Sequence, residues 1–121
     1  MKKEHSIIKS FGFAFDGIVQ AFKKGRNFRI QVISAFLIVI LGAYLNINST
    51  EWTVVSLTIA LVLILELINT SLELVVDIAS PEIRDEAKMA KDVAAGAVLI
   101  SSIASIAVFV FIFLPKILNV I

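Results

Sequence analysis

Four polar residues, Glu66, Asn69, Glu73 and Asp77, interrupt an otherwise apolar run, TVVSLTIALVLILELINTSLELVVD. At about 100° per helical residue they fall at roughly 0°, 300°, 340° and 20°, a stripe about 80° wide and roughly 16 Å long. Carboxylates are costly in hydrocarbon, so a line of them on one face marks a functional site. Their chemistry suits phosphoryl transfer: one acid can hold Mg2+ against nucleotide phosphates while another takes the proton from an attacking hydroxyl. The competing reading is structural, with Glu66 and Glu73 as protonated or paired acids and Asn69 as an interhelical hydrogen-bonding residue.

A second cluster lies in DIASPEIRDEAKMAKD, where Asp77, Glu82, Asp85, Glu86 and Asp92 alternate with Arg84, Lys88 and Lys91. Asp85, Glu86 and Lys88 read as a solvated, salt-bridged turn. Lys91-Asp92 opens the next apolar stretch without a spacer, so the pair could contact a phosphate and a hydroxyl or metal. Its structural alternative is a snorkelling anchor followed by a helix-start acid. With no cysteine in the chain, disulfides, thiolate chemistry and Cys-based zinc sites are excluded. No GxGxxG, nucleophile-elbow or HExxH pattern occurs, and GFAFDG at residues 12–17 has Walker-like glycine spacing without the following Lys-Ser/Thr. His5, the only histidine, sits in the charged N-terminal tail and is expected to be solvated.

The elements that must carry these groups are membrane-grade. The chain has 121 residues, 59% of them hydrophobic, and a mean hydropathy of +0.96, an apolar excess that points to a membrane protein. Three spans are expected at about 28–45, 52–76 and 93–114, each near the roughly 20 residues that cross hydrocarbon. Ahead of them, residues 6–24 place Ile7, Ile8, Phe11, Phe15, Ile18, Val19 and Phe22 at helical spacing, with Lys9, Asp16, Gln20 and Lys23 mostly opposite. That pattern, flanked by basic residues, predicts a helix lying in the membrane interface, the alternative being a helix packed on partner helices. The Lys-rich start runs into this amphipathic stretch and does not match a cleavable signal peptide. The whole of 1–121 reads as one unit.

Net charge is only +1, but seven of the eleven Lys/Arg lie in the first 29 residues. Arg84, Lys88 and Lys91 fall in the second connection, none in the first, and Lys116 alone near the end. The positive-inside rule therefore puts the N-terminus and a 78–92 loop in the cytoplasm and the C-terminus outside. Asp77 then lies at the cytoplasmic surface and Glu66 about 16 Å deeper.

ELINTSLELVVD at residues 66–77, followed by KDVAAGAVL at 91–99, closely resembles the prokaryotic diacylglycerol kinase/undecaprenol kinase family. The resemblance covers essentially the whole chain. It implies a small all-α membrane lipid kinase, a homotrimer with sites shared between subunits, using ATP and Mg2+ on diacylglycerol or undecaprenol in a bacterial inner or plasma membrane. Carried over by position, it makes Glu66 the general base at the lipid hydroxyl and Asn69 its neighbour that positions the reacting groups. Glu73 becomes the metal-holding carboxylate at ATP, and Asp77 the acid near the nucleotide. Lys91 and Asp92 go to the phosphates and nucleotide, with Glu82 and Arg84 as weaker nucleotide contacts and Arg29 at the substrate. No nucleic-acid partner is expected.

One position departs from the family pattern. Members usually carry a second metal-binding Glu before the first span, where GRNFRI here has Gly25. Weaker metal affinity is the expected consequence. Beside the kinase stand two other readings, a small proton-coupled transporter using Glu66 or Glu73 and a non-catalytic membrane subunit.

Overall fold

A computed structural model of the protein describes residues 6–121, so Lys2, Lys3 and His5 lie outside the described residues. Ser6 opens α1 (Ile7–Lys24), its hydroxyl accepting the Lys9 amide at 3.2 Å, while Lys23 and Lys24 complement the carbonyl end. The helix stops at Gly25, from which α2 (Arg26–Tyr44) departs at once. This joint is tight. The Gly25 amide donates to the Ala21 carbonyl at 2.7 Å, and a Cβ on Gly25 would lie 2.7 Å from the same oxygen. Arg29 reaches back across it, donating through Nη1 to the carbonyls of Phe22 at 3.0 Å and Lys23 at 2.8 Å. Those carbonyls are among the acceptors a helix end leaves unpaired.

A short turn through Asn46, whose φ of 53° is left-handed, leads to α3 (Ser49–Ala79). Asn48 and Glu51 form a reciprocal capping box at 2.9 and 3.0 Å, which fixes where that helix begins. Its 31 residues span about 46 Å, longer than a hydrocarbon core of about 30 Å. Pro81 ends it by forcing Ser80 out of the helical region, to φ −140° and ψ 80°.

The connection that follows is shorter than the 78–92 loop expected from sequence. Only residues 80–84 are non-helical, and α4 (Asp85–Val108) starts at Asp85. Asp85 and Glu86 favour a helix N-terminus, and Lys88 pairs with Asp92 one turn later at 2.6 Å. Near its end the helix widens into a π-helical segment (Phe109–Phe113) and resumes as α5 (Leu114–Val120). Pro115 lacks an amide proton and crowds the preceding turn, which the wider segment absorbs.

Three helical runs, Arg26–Tyr44, Ser49–Ala79 and Asp85–Val120, are long and apolar enough to cross a membrane. The all-α reading with three spans therefore holds. α3 and α4 pack as a hairpin, α2 lies on α3, and α1 touches both α2 and α3. Burial is concentrated at the end away from the polar stripe, around Ile47, Val55 and Phe113 with Trp52, Leu41 and Phe109. Gly42 lets the Trp52 ring come so close that a Cβ would meet it at 2.9 Å, and Lys116 ties this end to Glu51 at 3.4 Å. Elsewhere large side chains such as Ile33, Phe36, Leu57, Ile103 and Phe111 are exposed, a surface that suits lipid or other subunits rather than water.

Candidate functional site

The stripe read from α3 resolves into three couples, two of them reaching other helices and one closed within α3. Glu66 is only 5% exposed and accepts a hydrogen bond from Gln31 Nε2 on α2 at 3.4 Å. One turn on, Asn69 Nδ2 donates to Glu73 Oε1 at 3.2 Å within α3 itself. At the far end Asp77 Oδ1 meets Lys91 Nζ of α4 at 2.5 Å. Gln31 Oε1 and Asn69 Oδ1 are both buried and have no hydrogen-bond partner. An unpaired buried carbonyl costs about 1–3 kcal/mol, so two of them flanking one carboxylate point to a place where a donor is meant to arrive.

Space surrounds these couples on two sides. A groove of about 910 Å³ runs between α1, the α1–α2 joint and α3, with Glu66, Glu73 and Asp77 on one wall and Lys24 and Arg26 on the other. Gly25 lines it too. Glu66 also lines a second cavity, of about 410 Å³, bounded by Asn27, Gln31, Asn69 and Ser102. Glu66 and Asn27 are thus shared by a charged groove and an amide-lined cavity.

The α3–α4 connection forms a third recess of about 220 Å³, lined by Asp77, Glu82, Arg84, Lys88 and Lys91. Asp77 belongs to this recess as well as to the groove, so it joins the two. Glu82 and Arg84 are exposed, Arg84 lying 3.6 Å from Glu86, and the Glu82 carbonyl accepts the Ser80 hydroxyl at 3.1 Å. Lys88 and Lys91 precede the apolar run that begins at Val93. Hydrogen bonding to Asp77 raises the Lys91 ammonium above its ordinary value, against an opposing pull from burial; Asp92 raises Lys88 likewise.

Two expected site residues stand apart. Asp92 pairs with Lys88 and not with the Lys91 beside it, because an i,i+4 spacing shares a helical face and adjacent positions do not. Arg29, expected at the substrate, caps α1 and does not line the groove. In the other direction, Gln31, Lys24 and Arg26 face the site and carry no weight in the sequence reading. Gln31 had a signal: it is the one amide in the apolar run IQVISAFLIVIL.

A divalent ion would find two exposed carboxylates in the groove, Glu73 and the Lys91-paired Asp77, and no group of three or more His, Cys, Asp or Glu among the described residues is placed to hold a metal. That donor set fits Mg2+, which is commonly bound by one or two carboxylates together with substrate phosphates and water.

A sequence profile of the prokaryotic diacylglycerol kinases matches residues 12–113. The chain belongs to the prokaryotic diacylglycerol kinase family. It is 40% identical to a diacylglycerol kinase of Synechocystis over 94% of this chain and 66% of the relative, slightly under two thirds of that protein's length. It is 37% identical to an undecaprenol kinase of Bacillus subtilis over 89% of this chain and 88% of the relative. Against the diacylglycerol kinase of Escherichia coli the identity is 29%, covering 83% and 82%. The relatives are named kinases of diacylglycerol and undecaprenol, and a kinase family generally implies ATP and a divalent metal. The family's metal-binding Glu is expected where this chain has Gly25, and Gly25 does line the groove that holds Glu73.

Proposed function

We propose that this protein, as one unit over 1–121, transfers the γ-phosphoryl group of ATP to the hydroxyl of a membrane lipid alcohol, diacylglycerol or undecaprenol. The observation that carries this reading is the position of Glu66 between the charged groove and the amide-lined cavity. ATP occupies the groove and the connection recess, its phosphates near Lys91 and Asp77 and within reach of Lys24 and Arg26. Glu82, Arg84 and Asp92 are outer nucleotide contacts. Glu73, together with phosphate oxygens, would hold Mg2+, which would supply charge neutralisation on the transferring group.

The lipid hydroxyl enters from the amide side. Its proton passes to the Glu66 carboxylate, its oxygen bonds to the γ-phosphorus, and the bond to the bridging oxygen breaks with the electron pair leaving on ADP. Asn69 holds Glu73 and offers its free carbonyl to the reacting groups. Arg29 acts on the substrate only through the α1–α2 joint that it closes.

The protein sits in a bacterial inner or plasma membrane. Its N-terminus and the 80–84 connection face the cytoplasm, where ATP is available, and the C-terminus faces out, following the Lys/Arg distribution. α1 lies in the interface, where its exposed Ile7, Ile8, Phe11 and Phe15 meet lipid. Three copies assemble with sites shared at their boundaries, which would cover apolar surface that a single protomer leaves open. Purified protein in mixed micelles, given labelled ATP, Mg2+ and each lipid alcohol in turn, should label one of them. If every acceptor stays unlabelled, the reading is wrong.

A further inference from the structure

Gln31 Nε2 reaches Glu66 at 3.4 Å, yet Gln31 Oε1, on the same amide, is buried without a partner. The placement follows from α2. Gln31 stands three residues after Phe28, which is 3% exposed, so the two share a helical face, and the hydrogen bond to Glu66 shows that this face meets α3. A buried amide that merely ties two helices together uses both of its ends, since buried polar groups are nearly always hydrogen-bonded. Here the donor is used at long range and the acceptor not at all. Of the side chains that line the cavity with Gln31, Glu66 is the only ionisable one among the described residues. Its hydrogen-bonding character also changes in the proposed reaction, because an ionised carboxylate only accepts and a protonated one donates.

We infer that Gln31 is a positioning residue that serves Glu66 in both of its states, donating through Nε2 to the carboxylate and accepting through Oε1 from the carboxylic acid. The inference rests on the reading that Glu66 takes the proton of the lipid hydroxyl. In that step the lipid O–H bond breaks, its electron pair stays with the oxygen that attacks the γ-phosphorus, and an O–H bond forms on Glu66. Glu66 then has a proton to donate, which Nε2 cannot accept. A half-turn about the last side-chain bond of Gln31 puts Oε1 where Nε2 stood without moving the backbone, because that torsion is broad and roughly two-fold. The cavity of about 410 Å³ beside the amide leaves room for the turn. When the proton passes to water on the groove side of Glu66, the amide turns back. Glu66 keeps a hydrogen bond to α2 through the whole cycle, and that bond holds it at the reacting atoms. A lysine or arginine in this place would serve the ionised form alone.

Three variants separate the two functions of the amide. Gln31→Met, close in size, removes both; Gln31→Lys keeps a donor and loses the acceptor; Gln31→His keeps one of each. Each is assayed in mixed micelles with saturating Mg2+ and ATP, with dioleoylglycerol and with undecaprenol, in H2O and in D2O, and nucleotide titration of the purified variant reports intact folding. For Gln31→Met kcat should fall about tenfold and for Gln31→Lys at least as far, each with a solvent isotope effect on kcat raised about twofold as proton transfer slows. Gln31→His should recover most of that loss. Turnover by Gln31→Met or Gln31→Lys within twofold of the parent overturns the inference, and so does a folded Gln31→His that falls as far as Gln31→Met. A fall in kcat with an unchanged isotope effect makes Gln31 a packing residue and overturns it too. Glu66→Gln assayed alongside separates the two levels. Turnover by that variant removes the base and this inference with it, whereas an inactive Glu66→Gln beside an unaffected Gln31→Met removes the inference alone.

Discussion

Gln31→Leu removes the one hydrogen bond that the Glu66 carboxylate accepts among the described residues, the 3.4 Å contact from Gln31 Nε2. Hydrogen bonds to charged groups are worth about 1.5–3 kcal/mol net, and a contact this long belongs at the lower end. A loss of about 1.5 kcal/mol in orienting the base corresponds to roughly tenfold in turnover. Stability should change less than activity, because leucine is similar in size and also removes the unpaired buried Gln31 Oε1. The Michaelis constant for ATP should not move, since Gln31 does not line the groove that holds Glu73 and Asp77. The assay is initial rate in mixed micelles with ATP and lipid varied independently, alongside thermal unfolding followed by circular dichroism. Turnover within twofold of the parent would refute the reasoning, as would a rise in the ATP constant as large as the fall in turnover.

Glu66→Gln should abolish turnover while ATP still binds, measured by nucleotide titration of the purified variant; loss of ATP binding would mean the base is misassigned. The Lys91–Asp77 pair is solvent-accessible, so Lys91→Met should barely shift the melting temperature. If Lys91 contacts phosphate, the same change weakens ATP use by about a hundredfold, and a parallel loss of fold and activity would contradict that role. Gly25→Glu should lower the Mg2+ concentration needed for half-maximal activity, but its Cβ also meets Ala21 O at 2.7 Å. Gly25→Ala carries the same steric cost without a carboxylate, so an identical Mg2+ titration for the two variants would dispose of the missing-ligand argument.

The parts of the site that lie on one helix were legible in the chain because helical geometry is local. Spacing alone put Glu66, Asn69, Glu73 and Asp77 on one face, and the Asn69–Glu73 bond is the i,i+4 contact that spacing allows. The same rule, applied to α4, separates Lys91 from Asp92. That outcome was hidden only because the 78–92 segment looked like a loop. Its run of charges resembles a solvated turn, yet DEAKMAKD consists mostly of good helix formers with an acid-first, base-later order.

Composition, hydropathy and charge distribution by themselves determined an all-α chain with three helices fit to cross a membrane, since backbone groups in hydrocarbon must be satisfied within each span. Motif spacing pointed to the family that the comparison with known proteins then established. Tertiary structure alone decided what each polar group faces. Gln31 is 35 residues from Glu66, Lys91 lies across a hairpin from Asp77, and Arg29 turns back onto α1, none of which follows from periodicity. The physical reason is that a helix fixes the direction of its own side chains but not the rotation or approach of its neighbours. Those are set by close packing, here at Gly25 and Gly42.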